Sequence, residues 1–589
     1  EFKALLEGYA QGLNDYAAKH PGDVLVRDAF PVTTLDHVTT QVLSLAVISG
    51  VDQVLSNLFA GKVRTALPAT GGSNAIAIHS SRTTDGKTYL AINSHQPLEG
   101  PVAWYEAHLA SEEGWNILGG LFPGSPVINH GCNPYLGWAH TINYQDKIDV
   151  YQLETNPANP KQYRFDGQWL DLEEKDVKLK VKVGAGIRIG VKRKAYWSRY
   201  GATVRTEKGT FAVSLAANRD IRGVEQWYRM NKARTFSEFR RALQMLAIPG
   251  FNIVYADRYD TIYYVSNGKL PRRNPAYDWA GTLPGNTSQT VWREFHPFGD
   301  LPQLINPASG YLFNTNHTPF NATAPADNLH ARDFDPTMGY ETKDNNRSRR
   351  FTELITRAGK LSYDDFKGIK YDLQLPARLA YPTDITAVFD LGPDEYPDLQ
   401  TTLAKLKRWN RRGDADNRDA LVFLLAYTRV TDQVEAAGGS SYVNRKIDKE
   451  VCVAALRYAR DYLIRHFGTL EVALGDYQKL VRGDTELPVA GLPDVMAAMA
   501  TGPYRGGRVR ANQGESYIQL VRFSKDGSEI ETISPYGASN HPDSPHYADQ
   551  MELFVQQRTK KMTLDKAQVL KEAERVYHPN GLRDEKSKQ

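Results

Sequence analysis

The sequence predicts an α+β fold in which helical segments cover a long β-rich block. Residues 1 to about 60 carry apolar side chains at helical spacing, whereas apolar and polar residues alternate from Ser73 to about residue 300. Helical spacing returns over residues 348–470. Because the apolar face of a sheet must be buried against another layer, we expect the strands to pack beneath the helices that precede and follow them.

The composition is that of an ordinary globular chain. Of the 589 residues, 41% are hydrophobic and 24% are charged, which is enough for a large core. A formal net charge of +4 gives no reason to expect a nucleic-acid partner. Apolar stretches such as residues 43–51 are too short to span a bilayer, so no membrane partner is expected. With only Cys132 and Cys452 present, a disulfide framework is excluded and a single bridge stays open.

The first segment is typical of an amphipathic helix. Phe2, Leu5, Tyr9 and further apolar residues recur at helical spacing, and no secretory signal opens the chain. We therefore expect the chain to start at a processed or truncated end. A second helix is predicted to begin near Thr34, whose hydroxyl can cap it, with Asp36 complementing the helix dipole.

A β-hairpin is predicted to follow Ser73. Residues 73–95 contain two alternating runs joined by a turn that includes Asp85-Gly86. A later glycine-rich run at Gly184, Gly186 and Gly190 does not have the spacing of a dinucleotide-binding loop, and its flanks alternate, so it indicates a strand pair. The last part of the chain mixes strands with a terminal helix.

Ser73 follows Gly71 and Gly72, and this position has two interpretations. The simpler is a turn that opens the hairpin. The other is that the Gly72-Ser73 bond is cut, because the freed α-amine, with an ordinary pKa of about 7.7 to 8.0, can then deprotonate the hydroxyl of its own serine. The sequence has neither a G-x-S-x-G elbow nor an H-E-x-x-H motif, so other nucleophile and zinc chemistry has little support.

Several motifs, in one order along nearly the whole chain, resemble the penicillin acylase family of N-terminal nucleophile hydrolases, which includes acyl-homoserine lactone and aculeacin-type acylases. The motifs are YAQGLNDY (9–16), GGSNAIAI (71–78), GCNPYLGWAHT (131–141), FNIVYADRYDTIYY (251–264), LPG (283–285), NPASGYLFNTNHTP (306–319) and PDSPHYADQ (542–550). The resemblance implies a four-layer αββα sandwich with additional helical cover. It also implies autocatalytic cleavage into residues 1–72, the end of a helical α-subunit with its processing linker, and residues 73–589, the β-subunit.

The resemblance also implies the catalytic residues. Gly72 and Ser73 match the cleavage site, and Ser73 matches the nucleophile, with its own amine as base. His95 matches a position that is His in some members and Gln in others, and it would orient the Ser73 hydroxyl or polarise a bridging water; an ordinary hydrogen-bonded hairpin histidine is the alternative. Asn74 is a further support beside the nucleophile.

An acyl-transfer site also needs donors aimed at the developing oxyanion. By resemblance these are the backbone N–H of Ile142 and the side-chain amide of Asn252. Arg273 resembles the arginine that orients this amide and the terminal amine, and Arg272 is the alternative in register. Gln96 stands at an acyl-pocket position that is often aromatic in the family, which leaves the acyl preference open.

A structural calcium ion is a further implication, although the chemistry itself needs no cofactor. Asp146 and Asp149 resemble carboxylates that bind calcium in penicillin acylases, and oxygen ligands suit that ion. The α-subunit acid that would complete the site is missing, since Gly50 stands at its position. Two solvated carboxylates are the alternative interpretation.

We therefore expect an acylase that hydrolyses a small-molecule linear N-acyl amide, with an N-acyl-homoserine lactone or another fatty amide favoured. A β-lactam acylase acting on penicillins or cephalosporins is the first alternative, and a non-processing binding protein with the same fold is the second. The resemblance also implies a heterodimer of α and β chains from one precursor, located in the periplasm or secreted.

Overall fold

The computed structural model describes residues 1–61, 72–184, 187–437 and 445–577, and it confirms the α+β class. The first described range is helical, as predicted: α1 (Phe2–Lys19), α2 (Thr34–Ile48) and α3 (Val51–Phe59). The cap of α2 is Thr33 rather than the predicted Thr34. The Thr33 hydroxyl accepts from the Asp36 backbone N–H while the Asp36 carboxylate accepts from the Thr33 N–H, which forms a capping box.

The strands begin at Gly72 and dominate the chain to residue 314. They are β1 (Gly72–Ile78), β2 (Thr88–Pro97), β3 (Tyr105–Ser111), β4 (Trp115–Leu121), β5 (His130–Cys132), β6 (Leu136–Thr141), β7 (Ile148–Leu153), β8 (Thr155–Asn156), β9 (Asn159–Phe165), β10 (Gln168–Asp171), β11 (Glu173–Gly184), β12 (Ile187–Ser198), β13 (Gly201–Thr206), β14 (Gly209–Leu215), β15 (Gly250–Asp257), β16 (Ile262–Gly268), β17 (Thr282–Pro284), β18 (Gln303–Ile305) and β19 (Tyr311–Asn314). The predicted hairpin is confirmed as β1 and β2, and the glycine-rich run is confirmed as the pair β11 and β12, although Gly186 lies outside the described residues.

Two short helices interrupt this block, and the remaining elements follow it. They are α4 (Gly223–Lys232), α5 (Phe236–Leu243), α6 (Asn346–Arg357), α7 (Tyr363–Lys370), β20 (Thr383–Asp384), α8 (Gln400–Arg408), α9 (Ala420–Ala436), β21 (Arg445–Lys446), α10 (Lys449–Phe467), α11 (Leu474–Tyr477), β22 (Gln478–Arg482), β23 (Thr485–Pro488), β24 (Met499–Pro503), β25 (Val509–Ser524), β26 (Gly527–Ile533), α12 (Met551–Val555), β27 (Lys560–Met562) and α13 (Lys566–Glu572). The helical spacing over residues 348–470 therefore corresponds to α6 to α10.

Two sheets packed face to face form the centre of the fold. In the described residues, the first sheet has the order β19-β1-β2-β25-β22-β23, with β24 and β26 also paired to β25 and β27 paired to β26. The second has the order β18-β16-β15-β6-β5-β4-β3. Alternate residues of β1, Ala75 and Ala77, point between the sheets and share a buried cluster with Ala139 and Val254 of the second sheet. The intervening Ile76 points the opposite way.

Helices cover the outer face of each central sheet, which completes the αββα sandwich. On the first sheet, Ile76 packs in one buried cluster with Phe351 of α6 and Phe366 of α7. On the second, residues of β4, β6, β15 and β16 pack with α4 and α5 and with Leu45 of α2. Phe239 of α5 is fully buried there. The fold class inferred from the motifs is therefore confirmed.

Further helical cover lies beyond the sandwich. The side chains of α8, α9 and α10 form a separate buried cluster. Cys132 and Cys452 are both free and buried, so the bridge left open by the sequence is not present. No single helix in the described ranges is long and apolar enough to cross a membrane; α2 with α3, bent by 65°, passes that test only as a broken pair.

Candidate functional site

The predicted nucleophile lies at the start of β1, on the inner face of the first sheet. Ser73 is paired with Ser94 of β2, and Gly72 is paired with His95. Only 2% of Ser73 is exposed. Its hydroxyl donates to the carbonyl oxygen of Gly72, the carbonyl group that a cut before Ser73 would release. The antiparallel pairing of β1 and β2 therefore brings together Gly72, Ser73 and His95, as the sequence predicted.

Gly72 is enclosed by polar groups. A Cβ atom at this residue would lie 3.3 Å from Arg347 Nη2, 3.3 Å from Asn316 Oδ1 and 3.4 Å from His95 Nδ1. These separations are tight for a methyl group, so a side chain here would push apart the groups that surround the Gly72-Ser73 bond. The absence of a side chain lets all three approach the bond.

Asn316 and Arg347 hold the backbone of Ser73. Asn316 Oδ1 accepts from the Ser73 N–H at 2.6 Å, and Arg347 Nη1 donates to the Ser73 carbonyl oxygen at 2.6 Å. The same guanidinium donates to Asn74 Oδ1 at 2.9 Å and to Asn316 Oδ1 at 3.1 Å, while its Nε binds Asp494 at 2.8 Å. Asn74, which we predicted to support the nucleophile, thus accepts from the same Arg347 nitrogen that binds the Ser73 carbonyl oxygen.

Arg273, to which we assigned the orienting role, lies elsewhere. Its Nε donates to Asp149 Oδ2 at 2.9 Å, and its other nitrogens donate to the backbone carbonyl groups of Thr337 and Asp146. The alternative Arg272 pairs with Asp300 at the surface. The position beside Ser73 that the resemblance gave to Arg273 is taken by Arg347.

His95 belongs to a buried chain of polar side chains on the other face of the first sheet. Its Nε2 lies 3.5 Å from Glu515 Oε1 and 3.5 Å from Asn74 Nδ2. Lys370, the last residue of α7, donates to Glu515 Oε2 at 2.5 Å. His95, Glu515 and Lys370 are 4%, 5% and 0% exposed. Because a carboxylate faces Nε2, we assign the ring proton to Nε2, which leaves Nδ1 as an acceptor towards Gly72.

The protonation states of His95, Glu515 and Lys370 follow from their burial and from the positive charge of Lys370. Burial lowers the pKa of His95 to about 4, against the opposing effect of Glu515, so the imidazole is neutral at pH 7. Burial alone would raise the pKa of Glu515, but the Lys370 charge outweighs it and the pKa is lowered. Burial also lowers the pKa of Lys370 to about 8. At neutral pH the site therefore contains an ionised carboxylate, a protonated lysine and a neutral imidazole.

Asn252 and Ile142 lie together on the second sheet. Asn252 is in β15, and its Oδ1 accepts from the Tyr264 hydroxyl at 2.8 Å, which fixes the orientation of the amide. Its Nδ2 therefore points to Asn314 Oδ1, at 3.1 Å, and to the Ile142 carbonyl oxygen, at 3.5 Å. Asn316 Nδ2 donates to the same carbonyl oxygen at 2.9 Å. Asn316 thus links Ser73 to the loop that carries Ile142.

A pocket of about 380 Å³, including its open mouth, adjoins Ser73. Its lining is mostly apolar and aromatic, with four further polar side chains: Ile48, Trp104, Phe122, Ile142, Trp227 and Phe251 form the first group, and Ser94, Gln96, Asn129 and His140 the second. The Trp227 indole N–H donates to His140 Nε2 at 2.9 Å, which ties two walls together. Such a pocket suits an acyl group whose carbonyl carbon is next to Ser73.

Asp146 and Asp149 do not fit a calcium ion in this arrangement. The Asp149 carboxylate accepts from Arg273 and, at 2.7 Å, from the Trp292 indole N–H, and Arg273 Nη2 is 3.7 Å from Asp146 Oδ2. Calcium takes six to eight oxygen ligands. Among the described residues, no group of three or more His, Cys, Asp and Glu residues could hold a metal ion. The guanidinium supplies the positive charge that a calcium ion would bring.

Sequence reasoning missed four residues around Ser73: Asn316, Arg347, Lys370 and Glu515. Each reaches the site by strand pairing or helix docking across more than 200 residues of sequence, so no local spacing marks it. Only Asn316 could have been found from the sequence, because it lies in the NPASGYLFNTNHTP motif. In the structure its φ is +65°, a value that asparagine tolerates better than most residues.

Comparisons with known proteins identify similar sequences and folds. A family model described as penicillin amidase matches residues 1–571. The acyl-homoserine lactone acylase PvdQ of Pseudomonas fluorescens (strain Pf0-1) is 25% identical, with 100% of this chain and 83% of that protein covered. PvdQ of Pseudomonas syringae pv. syringae (strain B728a) is also 25% identical, with 85% and 69% covered.

Penicillin G acylases are similar as well. The Escherichia coli enzyme is 27% identical over 48% of this chain and 34% of its own length. Among solved structures, the thermostable penicillin G acylase from Alcaligenes faecalis has a TM-score of 0.63 at 19% identity, with 86% of this chain and 99% of that chain covered. At this identity the likeness concerns the fold.

Proposed function

Because this chain belongs to the penicillin amidase family, we propose that it is an N-terminal-serine acylase that uses Ser73 to cleave linear N-acyl amides. The chain is a hydrolase of the acylase type, acting on amide bonds. The observation that carries the proposal for Ser73 is its position. Its backbone is held on both sides by Asn316 and Arg347, and its side chain borders the aromatic pocket.

The first step we propose is scission of the chain. Ser73 Oγ attacks the carbonyl carbon of Gly72, the C–N bond breaks, and the hydroxyl proton passes to the Ser73 nitrogen. Water then hydrolyses the resulting ester, which leaves a Gly72 carboxylate and a Ser73 that carries both a free hydroxyl and a free α-amine. The products are the α and β chains of a heterodimer.

In turnover, the α-amine accepts the hydroxyl proton while Ser73 Oγ attacks the substrate amide. The oxyanion is stabilised by the Ile142 N–H and by Asn252 Nδ2, whose orientation Tyr264 fixes. The leaving amine takes the proton, and water attacks the acyl ester to restore the serine. Neutral His95, with Nδ1 towards Gly72, orients the amine or a bridging water.

The substrate we favour is a fatty N-acyl amide, including N-acyl-homoserine lactones. The mostly apolar lining of the pocket and the similarity to acyl-homoserine lactone acylases support this choice. The similarity to a penicillin G acylase supports the acyl side chain of a penicillin as the second candidate substrate group. Export to the periplasm or the medium stays a prediction, which cell fractionation tests.

The test compares wild type with Ser73→Ala, and with Ser198→Ala as a control that changes a buried serine of β12. Denaturing gels of wild type and control should show two fragments, the larger beginning Ser-Asn-Ala-Ile, and Ser73→Ala should show one. Turnover is measured by mass spectrometry on N-acyl-homoserine lactones of graded length and on penicillins G and V. A single wild-type band would favour the non-processing binding protein, and full turnover by Ser73→Ala would refute the nucleophile.

A further inference from the structure

The wall of the acyl pocket contains a buried amide with an unused donor. Asn129 lines the pocket and is 3% exposed. Its Oδ1 accepts from the Phe122 backbone N–H at 3.2 Å, which fixes the orientation of the amide. The Asn129 Nδ2 group makes no hydrogen bond to any residue in the described ranges. An apolar ligand would leave this donor without a partner, and an unpaired buried donor disfavours binding.

A second amide lies on the strand that pairs with the nucleophile. Gln96 follows Ser94 by two residues in β2, so it lies on the same face as Ser94 and as Ser73, which is opposite Ser94. Diagonal neighbours of this kind are about 7 to 8 Å apart, with their Cβ atoms somewhat closer, which is within reach of a glutamine side chain. The Gln96 amide also lines the pocket and makes no hydrogen bond to a described residue.

We propose that the pocket selects acyl groups that carry an acceptor oxygen near the scissile amide, and that Asn129 Nδ2 and the Gln96 amide donate to this oxygen. Acyl groups with a 3-oxo, 3-hydroxy or aryloxy oxygen share this chemistry, whereas a plain alkyl chain lacks it. The proposal rests on the proposed function only in taking this pocket as the acyl site. It follows from the two side-chain amides in the lining, whose donors make no hydrogen bond to a described residue.

The kinetic test compares substrates that differ by one oxygen. N-octanoyl-homoserine lactone is compared with its 3-oxo and 3-hydroxy forms, and an N-(3-phenylpropanoyl) amide with the isosteric N-phenoxyacetyl amide. A neutral hydrogen bond changes kcat/KM by about three- to tenfold, so wild type should prefer the oxygen-bearing member of each pair by at least this factor. Comparing the 3-oxo, 3-hydroxy and phenoxyacetyl substrates shows which type of oxygen the pocket binds.

Two variants remove the donors separately. Gln96→Met keeps the length of the side chain without its amide, and Asn129→Asp keeps the acceptor for the Phe122 N–H but not the donor. Each should lower the preference by about three- to tenfold. Phe122→Leu is the matched control: it alters the pocket wall without touching a donor, so kcat/KM should change by the same factor for both members of a pair.

Direct binding separates this inference from the proposed function. The dissociation constants of phenoxyacetate and 3-phenylpropanoate are measured by calorimetry for wild type and Gln96→Met. Tighter binding of phenoxyacetate, lost in Gln96→Met, would support the inference even if wild type hydrolysed no amide. Equal dissociation constants in wild type, or a preference that neither Gln96→Met nor Asn129→Asp reduces, would overturn it.

Discussion

The ammonium group of Lys370 donates to the Glu515 carboxylate at 2.5 Å, and the other oxygen of that carboxylate faces His95. All three side chains are buried. A charge in such a place is stable only with a partner, so Lys370 keeps Glu515 ionised and thereby fixes the side of His95 that carries the proton.

Lys370→Met should therefore lower both stability and activity. Removing one member of a buried ion pair costs about 3 to 5 kcal/mol of unfolding free energy, because the other charge is left unpaired. Urea denaturation measures the loss. The double variant Lys370→Met with Glu515→Gln removes both charges and should be more stable than Lys370→Met alone. If the loss of unfolding free energy in the double variant equals the sum of the losses in Lys370→Met and in Glu515→Gln, the two side chains are not coupled.

Arg347→Met should impair Ser73 without unfolding the protein. Arg347 is the only guanidinium among the described residues that binds the Ser73 carbonyl oxygen. A misplaced nucleophile costs on the order of 10²-fold in rate, so kcat/KM should fall by about this factor and cleavage before Ser73 should slow. The control is Arg272→Met, whose guanidinium pairs with Asp300 at the surface. Equal effects of the two substitutions would contradict the assignment.

Calcium removal should leave the wild-type protein unchanged, since Arg273 neutralises Asp149. The melting temperature should be the same in calcium and in a calcium chelator. Arg273→Met leaves the buried Asp149 carboxylate without its cation, which should cost about 3 to 5 kcal/mol. Millimolar calcium should then restore part of the melting temperature of this variant. A calcium-dependent melting temperature in wild type would show that the ion competes with the guanidinium.

Stability should fall as the pH drops from about 6.5 towards 4. Burial lowers the pKa of His95 and His317 to about 4 and that of His140 to about 3. In this window the unfolded chain binds protons that the native protein does not, so the unfolding free energy decreases by up to about 1.4 kcal/mol per pH unit for each histidine.

Chemical denaturation between pH 7 and pH 4.5 measures this slope. His317→Gln should reduce the slope by up to about 1.4 kcal/mol per pH unit, the contribution of one proton. The reason is that the His317 imidazole is held neutral between the Thr315 N–H and the Asn321 carbonyl oxygen. His541→Gln, at an exposed position, is the control. An unchanged slope in His317→Gln would mean that this histidine is protonated in the native protein.

The sequence predicts the parts of the site that depend on neighbours along the chain. The hairpin of β1 and β2 follows from alternation and an Asp-Gly turn, and its register places His95 opposite Gly72. Arg347 and Glu515 could not be found this way, because α6 and β25 reach Ser73 only after the whole sandwich has assembled. Arg273 was assigned by motif, but burial of Asp149 beside it determines where its guanidinium lies.

The first residues of β1 have a consequence for the life of the protein after synthesis. The pairing of β1 with β19 begins only at Ala75, and the pairing with β2 extends to Ile78. Cleavage before Ser73 therefore removes the covalent connection to the preceding segment but almost none of the strand pairing of β1. The severed leading piece would then be held by contacts such as Leu45 on the second sheet. Reassembly after denaturation becomes an encounter between two molecules, and thermal resistance becomes dependent on concentration.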